Sequence, residues 1–295
     1  MKRYIATIGA FDGVHLGHRW LLRQVVDRAR HLGLPSVAVT FDPHPDLVLY
    51  PERHLSYLTD REEKEQLLRE IGVDEVLVLE FTRELSMLRA DEFVDMLQAR
   101  YPLQELWVGP DFAMGRGRQG THAALAEIGR EQGFALHVVP PLRLDGEIVS
   151  SSYVRSLLAS GDVEHVQRLL GRPFSVCGRV VEGARRGRSL GFPTANVVPP
   201  PQRALPADGV YAASASWDDR EAPAVVNLGG RPTFEDQTRL LEAHLIDVEA
   251  DLYGARLCVR FLRRIRGVQK FASLEALREQ IAADRAVAAK LLAGG

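Results

Sequence analysis

The chain has 295 residues, about the length of two domains. Its 37 Lys and Arg residues nearly balance 39 Asp and Glu residues, and the formal charge of −2 argues against a polybasic binder of nucleic acids or membranes. The 46% hydrophobic content is that of a globular protein, and no apolar run is long enough to span a membrane. Anionic ligands would therefore have to be held by local arginine clusters, and self-association stays open.

Short apolar runs alternate with amphipathic patterns in the first half of the chain. Strands are predicted at residues 4–10, 36–41, 75–79, 105–108 and 134–139. Helices are predicted at residues 18–32, 60–71, 90–100 and 121–132. Glycine follows three of these helices directly, and Thr59 with Glu62 is typical of a capping box. The alternation predicts a doubly wound parallel sheet, which binds ligands at the carboxyl ends of its strands.

The second half has a different pattern of apolar and turn residues. A helical pair at residues 151–160 and 163–170 precedes β-rich runs at 175–181, 210–216, 224–228, 240–247 and 256–261. Glycine and proline turns separate these runs, which predicts a small antiparallel β-barrel. Ser273 is expected to cap a final helix with one apolar face made of Leu274, Leu277, Ile281 and Ala288. The composition changes near residues 171–173, so the predicted domains are residues 1–171 and 172–295.

Cysteine usage bears on the compartment. Cys177 and Cys258 are the only cysteines, and no CxxC motif is present. Two cysteines are too few for a disulfide framework, so a cytoplasmic location is expected.

Two histidines, His15 and His18, stand one helical turn apart where the first predicted strand gives way to a helix. A helix N-terminus presents free N–H groups and a positive dipole end to an anion. Gly13 and Gly17 allow the backbone to come close to a ligand. Histidines at this place can donate hydrogen bonds to phosphate oxygens as charge develops in a transition state. Surface or capping roles remain the alternative for a lone HxGH pattern.

Three further stretches of the first half carry candidate residues. A candidate phosphate-binding site lies at a predicted helix start and consists of Ser150, Ser151, Ser152 and Arg155. The alternative is an ordinary serine cap with a solvated arginine. Residues 109–120 contain a GxGxxG pattern that follows the fourth strand rather than the first, which argues against a dinucleotide fingerprint. The segment is expected to be either a flexible loop that carries Arg116 and Arg118 or a mobile cover over a phosphate or a flavin. The segment 40–45, TFDPHP, forms a rigid turn whose His44 either helps to build a substrate pocket or is only a turn residue.

The stretch GARRGRSLGFPTAN, residues 183–196, offers phosphate binding without a P-loop, since no GxxxxGK[ST] occurs. Its glycines allow close approach, and Arg185, Arg186 and Arg188 supply positive charge. Thr194 and Asn196 present hard oxygen ligands that suit Mg²⁺. Phosphoryl transfer also needs a group near the attacking hydroxyl, and the run LLEAHLIDV places Glu242, His244 and Asp247 on one predicted face. A basic hairpin and a solvated strand are the alternatives.

Taken together, these motifs resemble those of bifunctional riboflavin kinase/FAD synthetases. GAFDGVHLGH, TFDPHP, GPDFAMGRGRQG and VSSSYVR are similar to the adenylyltransferase module, and the PTAN stretch, DGVYAA, NLGGRPTF and IRGVQKF to the kinase module. The resemblance implies a nucleotidyltransferase-fold domain joined to a β-barrel kinase. It implies that riboflavin and ATP give FMN, and that FMN and ATP then give FAD and pyrophosphate, with Mg²⁺ in both steps.

The resemblance also implies roles for residues. His15 and His18 are expected to act on the α-phosphate, and Glu242 as general base of the kinase. Contacts to nucleotide or flavin are implied for Gly9, Phe11, Asp12, Gly17, Phe41, His44, Asp111, Phe112, Ser150, Ser151, Ser152, Arg155, Arg185, Arg188, Gly191, Pro193, Thr194, Asn196 and Arg266, with Thr194 and Asn196 as Mg²⁺ ligands. Two alternatives are an HxGH enzyme that acts on a pantetheine or nicotinamide nucleotide, and a flavin-storing or flavin-sensing protein without catalysis.

Overall fold

The computed structural model of the protein describes residues 2–182, 191–230, 239–248 and 250–293. The chain divides into two compact units, Met1–Ser151 and Ser152–Gly295. The boundary predicted between residues 171 and 172 lies further along the chain, and it stays a prediction for the extent of the two functional modules.

A parallel sheet of five strands forms the centre of the first unit. The strands are β1 (Tyr4–Ile8), β2 (Ser36–Asp42), β3 (Glu75–Glu80), β4 (Leu103–Val108) and β5 (Ala135–Val138). Their spatial order is β3-β2-β1-β4-β5, and every neighbouring pair is parallel. The chain therefore moves outward on one side of β1 and then on the other. This reversal creates a crevice between the carboxyl ends of β1 and β4, where such sheets bind ligands.

Helices cover both faces of this sheet. They are α1 (Leu16–Leu32), α2 (Pro45–Leu49), α3 (Arg61–Glu70), α4 (Arg83–Met87), α5 (Ala90–Arg100) and α6 (His122–Gln132), followed by a hairpin of β6 (Arg143–Leu144) and β7 (Glu147–Ile148). One apolar core includes Val25 and Leu68, and the other includes Val94 and Leu125. The predicted strands and four longer helices are confirmed. The short helices α2 and α4 are too brief to show a helical period, and the sequence did not predict them.

The predicted capping box at the start of α3 is wrong. Asp60 is the N-cap, and its Oδ1 accepts the backbone N–H of Glu63 at 2.8 Å. Thr59 instead turns its hydroxyl oxygen toward Gly13, whose N–H it accepts at 3.0 Å. The capping role therefore moves by one residue because Thr59 holds another loop.

A closed antiparallel barrel forms most of the second unit. Its strands are β8 (Phe174–Val181), β9 (Ala195–Val198), β10 (Gly209–Trp217), β11 (Arg220–Gly230), β12 (Arg239–Leu245) and β13 (Arg256–Arg266), in the closed order β10-β11-β12-β9-β8-β13. The predicted fold class is confirmed for both units. Only β9 was missed, because the glycine and proline residues before it favour a loop. Cys177 and Cys258 are directly opposed on β8 and β13 and form a disulfide, a single bridge that the sequence did not predict.

Among the described residues, three helices accompany the barrel: α7 (Ser151–Ser160), α8 (Val163–Leu170) and α9 (Leu274–Ala293). Helix α8 lies against β13, where Glu164 pairs with Arg263 at 3.0 Å. Ser273 caps α9 as predicted, since its hydroxyl accepts the N–H of Ala276 at 3.1 Å. The predicted apolar face is only partly right. Ala288 is buried against the barrel, whereas Leu274 stays 66% exposed because the packing involves the later turns.

Candidate active sites

The loop after β1 has an unusual backbone. Phe11 and Val14 adopt positive φ angles of 47° and 38°, although neither is a glycine. Positive φ is a true outlier for a β-branched residue such as Val14 and costs of the order of 1–3 kcal/mol. Both side chains are nearly or fully buried, at 2% and 0% exposure, so packing forces the backbone into this conformation. Strain of this kind is concentrated at functional sites.

Hydrogen bonds from the loop before α3 hold this strained turn. The buried carboxylate of Asp12 accepts the N–H groups of Leu58 at 2.8 Å and Thr59 at 3.1 Å. On the other side, the hydroxyl of Ser151 donates to the carbonyl oxygen of Asp12 at 2.8 Å. Asp12 therefore anchors protein backbone, and any nucleotide contact that it makes remains a prediction.

His15 and His18 are brought together by this turn. His15 is the N-cap of α1, and its Nδ1 accepts the backbone N–H of His18 at 3.2 Å. The two rings stack with centroids 3.6 Å apart and planes inclined by 17°. Glycine at position 17 suits this close approach, because a Cβ would lie 3.1 Å from both the His15 ring and the carbonyl oxygen of Val149 and would displace one of them.

The electrostatics of the pair favour a neutral His18. Burial lowers the pKa of His18 well below 6.5, and the nearby His15 and Lys64 lower it further. The Nδ1 of His18 is buried and has no hydrogen-bond partner among the described residues. A buried polar atom without a partner is rare in native proteins and points to a missing ligand or a functional role.

An apolar pocket of about 260 Å³ lies beside the ends of β1 and β2. Its wall includes Ile8, Phe41, Phe81, Phe112 and Met114, so it unites two of the predicted contact residues, Phe41 and Phe112. His44 does not line it. Its Nδ1 accepts the N–H of Asp46 at 3.1 Å and caps α2.

The GxGxxG segment is a closed loop rather than a strand-to-helix turn. Met114 and Gly120 form a β-bridge, and a Cβ on Gly115 would lie 2.7 Å from the backbone nitrogen of Ala90. The rejection of a dinucleotide fingerprint is thus confirmed. Asp111 is exposed in this loop, and its carbonyl oxygen accepts a hydrogen bond from Arg118 at 2.8 Å.

The serine cluster falls across the division between the units. Ser150 and Ser151 belong to the first unit, next to the histidine turn through Val149 and Asp12. Ser152 and Arg155 belong to the second unit, in the first turns of α7. Their joint action on one nucleotide therefore stays a prediction.

A second cavity, of about 670 Å³, opens in the barrel unit. Four predicted residues line it: Gly191, Pro193, Thr194 and Asn196. Arg185, Arg186 and Arg188, the cationic part of the same stretch, lie outside the described residues. The described part of the stretch nevertheless brings Thr194 and Asn196 to the wall of one cavity.

Glu242 is positioned by the strand register. It lies directly opposite Asn196 on β9 and opposite Asn227 on β11. The side chain of Asn227 donates to its carboxylate at 3.4 Å. His244 follows on the same face, and its Nδ1 lies 2.9 Å from the carbonyl oxygen of Pro193. Asp247 does not share that face, because β12 ends at Leu245; it forms an ion pair with Arg285 of α9 instead.

Arg266 at the end of β13 is also occupied by a protein partner. Its guanidinium donates to both carboxylate oxygens of Asp284, at 2.9–3.1 Å, and the Asp284 side chain is only 4% exposed. The pair fixes α9 to the barrel. The sequence did not predict this partner, although Asp284 stands at the same helical spacing as Leu277, Ile281 and Ala288 of the predicted apolar face.

The fit of Mg²⁺ can be judged from the donor set. Among the residues that the structure describes, no group of three or more His, Cys, Asp or Glu side chains is arranged to hold a metal. Mg²⁺ needs no such cage, since it is held by one or two protein oxygens together with phosphates and waters. The hydroxyl of Thr194 and the amide oxygen of Asn196 fit this chemistry.

No described helix has the length and apolar character of a membrane span.

Comparisons with known proteins match both units. A family model described as FAD synthetase matches residues 1–153, and one described as riboflavin kinase matches residues 170–292. The curated bifunctional riboflavin kinase/FMN adenylyltransferase of Pseudomonas fluorescens is 44% identical over 98% of this chain and 93% of its own length. The Escherichia coli K12 protein of the same name is 40% identical over 96% of this chain and 91% of its own.

A solved structure is similar as well. A crystal structure described as a macrolide-efflux protein from Streptococcus pneumoniae is 31% identical, with a TM-score of 0.89, and the match covers 97% of this chain and 94% of that one.

Proposed function

Because the chain belongs to the bifunctional riboflavin kinase/FMN adenylyltransferase family and carries both activities, we propose how its residues divide the two reactions. His15 and His18 serve adenylyl transfer in the first unit. Thr194, Asn196 and Glu242 serve phosphoryl transfer in the barrel. Two alternatives are excluded. An enzyme that acts on a pantetheine or nicotinamide nucleotide would have no kinase module, and a storage protein would have neither activity.

The strained turn that stacks His15 on His18 is the observation that carries the first assignment. In adenylyl transfer, a phosphate oxygen of FMN attacks the α-phosphorus of ATP and pyrophosphate leaves. Negative charge grows on the α-phosphate oxygens as this happens. A neutral imidazole at the N-terminus of α1 can donate an N–H to those oxygens, and the preorganised turn spares the cost of reorientation.

The remaining residues of the first module bind substrates. Gly9, Phe11, Asp12 and Gly17 shape the turn so that the polyphosphate can approach the backbone, while Ser150, Ser151, Ser152 and Arg155 hold phosphate oxygens. The flavin ring occupies the apolar pocket between Phe41 and Phe112, since an apolar wall suits a planar aromatic ring. His44 and Asp111 stand at the two turns beside this pocket.

In the barrel, Glu242 takes the proton of the ribityl 5′-hydroxyl as that oxygen attacks the γ-phosphorus of ATP, and ADP leaves. The strand register supports this role, because it places Glu242 opposite Asn196 of β9, the strand that begins directly after Thr194, and Asn227 of β11 donates to the carboxylate. Mg²⁺, when held by Thr194 and Asn196, neutralises charge on the phosphates. Gly191 and Pro193 bring backbone toward the nucleotide, Arg185 and Arg188 add charge, and Arg266 positions the end of β13 near the flavin.

The proposal also covers the module boundaries, the metal requirement and the cellular location. The functional modules are residues 1–171 and 172–295, both reactions require Mg²⁺, and the protein acts in the cytoplasm on small molecules. The test is to incubate the purified protein with ATP and riboflavin, or with ATP and FMN, and to separate the flavins by chromatography. FMN and then FAD should accumulate, and EDTA should stop both steps. Accumulation of either product in the presence of excess EDTA would contradict the Mg²⁺ requirement.

A further inference from the structure

Lys64 is buried although its sequence context is strongly polar. It lies in the first turns of α3 within REEKEQ, yet it is only 6% exposed. Its Nζ donates to the carbonyl oxygen of Phe41 at 2.7 Å and lies 3.4 Å from that of Ala10. Taking an ammonium group out of water costs several kcal/mol, and lysine is almost never found inside a protein without partners. The position of this charge therefore calls for a function.

The two carbonyl groups belong to the two turns that carry the histidine motifs. Ala10 follows β1 and starts the strained turn, and its oxygen also accepts the hydroxyl of Thr40 at 3.0 Å. Phe41 is near the end of β2, directly before the turn that holds His44. One ammonium group thus ties together the carboxyl ends of two neighbouring parallel strands. In the sequence these segments are separate motifs, and neither contains a lysine.

We propose that Lys64 is a positioning residue for adenylyl transfer, which fixes the ends of β1 and β2 and thereby sets the place of His15 and His18. This inference rests on the proposed role of the histidines. It goes beyond that role because Lys64 lies on another helix and acts through backbone carbonyl groups. Misplacing a catalytic group by about 1 Å can cost a hundredfold in rate.

The charge of Lys64 has a second effect on the same site. Burial lowers the pKa of Lys64, while the carboxylates of Asp12 and Asp42 oppose that shift. The pKa of His18 is lowered first by its burial, then by His15 and then by Lys64. Removing the lysine charge should therefore raise the pKa of His18. Water admitted by a loss of packing would also raise the pKa of His18, because burial is the first cause of its lowering. Lys64→Arg separates the two effects, since it alters the packing but keeps the positive charge.

The experiment compares Lys64→Met with the wild type in the full-length protein. FAD formation from supplied FMN should show a kcat at least roughly tenfold lower, with KM values for ATP and FMN within about threefold. The pH titration of the His18 ring, followed by NMR and identified by its absence in His18→Asn, should move to higher pH. Lys64→Arg, which keeps the charge, should leave that titration close to the wild type.

Two controls separate the proposal from other effects. Arg69→Met removes an exposed cation from the same helix, and Leu97→Ala opens a cavity in the apolar core on the other face of the sheet; both should leave kcat and the His18 titration unchanged. If Lys64→Met does not fold, as judged by circular dichroism and urea unfolding, Lys64→Gln takes its place.

Either a retained kcat or an unmoved His18 titration in the uncharged variant overturns the proposal. Normal FAD synthesis by His18→Ala would instead overturn the histidine assignment.

Discussion

Asn196 and Glu242 occupy directly opposed positions on β9 and β12, although 45 residues separate them in the chain. One is the proposed Mg²⁺ ligand and the other is the proposed base. Their opposition places the charge that neutralises phosphate and the group that accepts a proton on the same face of the barrel. The antiparallel register maintains this arrangement, so it does not depend on the conformation of a loop.

The first prediction concerns Glu242→Gln. Glutamine has nearly the same size and keeps hydrogen-bonding capacity, but it cannot accept the proton. Kinase turnover should fall by roughly a hundredfold or more, while riboflavin binding stays within a few-fold of normal. Steady-state phosphorylation and fluorescence titration of riboflavin would measure the two effects. Glu221→Gln is the matched control, because Glu221 is an exposed carboxylate of the same barrel that pairs with Arg260. A variant that keeps most of its kinase rate would remove Glu242 from the mechanism.

A second prediction concerns the histidine pair. Replacing His15 or His18 with Ala should lower FAD synthesis by about 3–4 kcal/mol of transition-state stabilisation, on the order of a hundred- to a thousandfold. Riboflavin phosphorylation should continue, because the barrel has its own site. Rates with supplied FMN and with riboflavin would separate the two activities. His31→Ala, an exposed histidine in the last turn of α1, should leave both rates unchanged. Near-normal FAD synthesis in both site variants would contradict the assignment.

Strain at Val14 gives a prediction about stability. Glycine normally destabilises a protein relative to alanine, but it adopts positive φ without a steric cost. Val14→Gly should therefore be more stable than Val14→Ala by roughly 1 kcal/mol, since only the alanine variant retains the strain. Urea unfolding of both variants would measure this. At Val37, a fully buried residue of β2 with ordinary strand backbone, the order should be the usual one, with alanine more stable. If Val14→Ala is instead the more stable of the two variants, the turn relaxes in the alanine variant and the backbone strain is not retained.

A fourth prediction addresses the boundary between the modules. Fragment 172–295 should fold and phosphorylate riboflavin, because the barrel has its own core. Fragment 152–295 should be more stable by roughly 2 kcal/mol or more, because it keeps α8, whose Val166 and Leu169 are fully buried. The guanidinium of Arg264 would also keep its hydrogen bond to the carbonyl oxygen of Ser160. Thermal unfolding of the two fragments would compare them, and equal midpoints would show that the helices do not support the barrel.

Much of the fold could be predicted from local pattern. The alternation of apolar runs with amphipathic segments is a strong signal, and it correctly gave the parallel sheet, the longer helices and five of the six barrel strands. What escaped prediction depends on partners distant in sequence. Lys64 stands among charged residues and looks solvated. Asp284 gives no sign of Arg266, and β9 becomes a strand only because β8 and β12 are there to pair with it. Register and burial of charge are properties of the folded chain, which periodicity does not encode.

The closure of the barrel bears on how copies of this protein can meet. Each of its six strands has a hydrogen-bonded neighbour on both sides. Among the described residues, the barrel therefore has little free strand edge onto which a second molecule could extend the sheet, limited to the parts of β8 and β12 that the short β9 does not pair. In the first unit, β3 and β5 lie at the two margins of an open sheet and keep main-chain groups on one side. In the described parts of these two sheets, a whole strand edge is open to main-chain pairing between molecules only at β3 and β5.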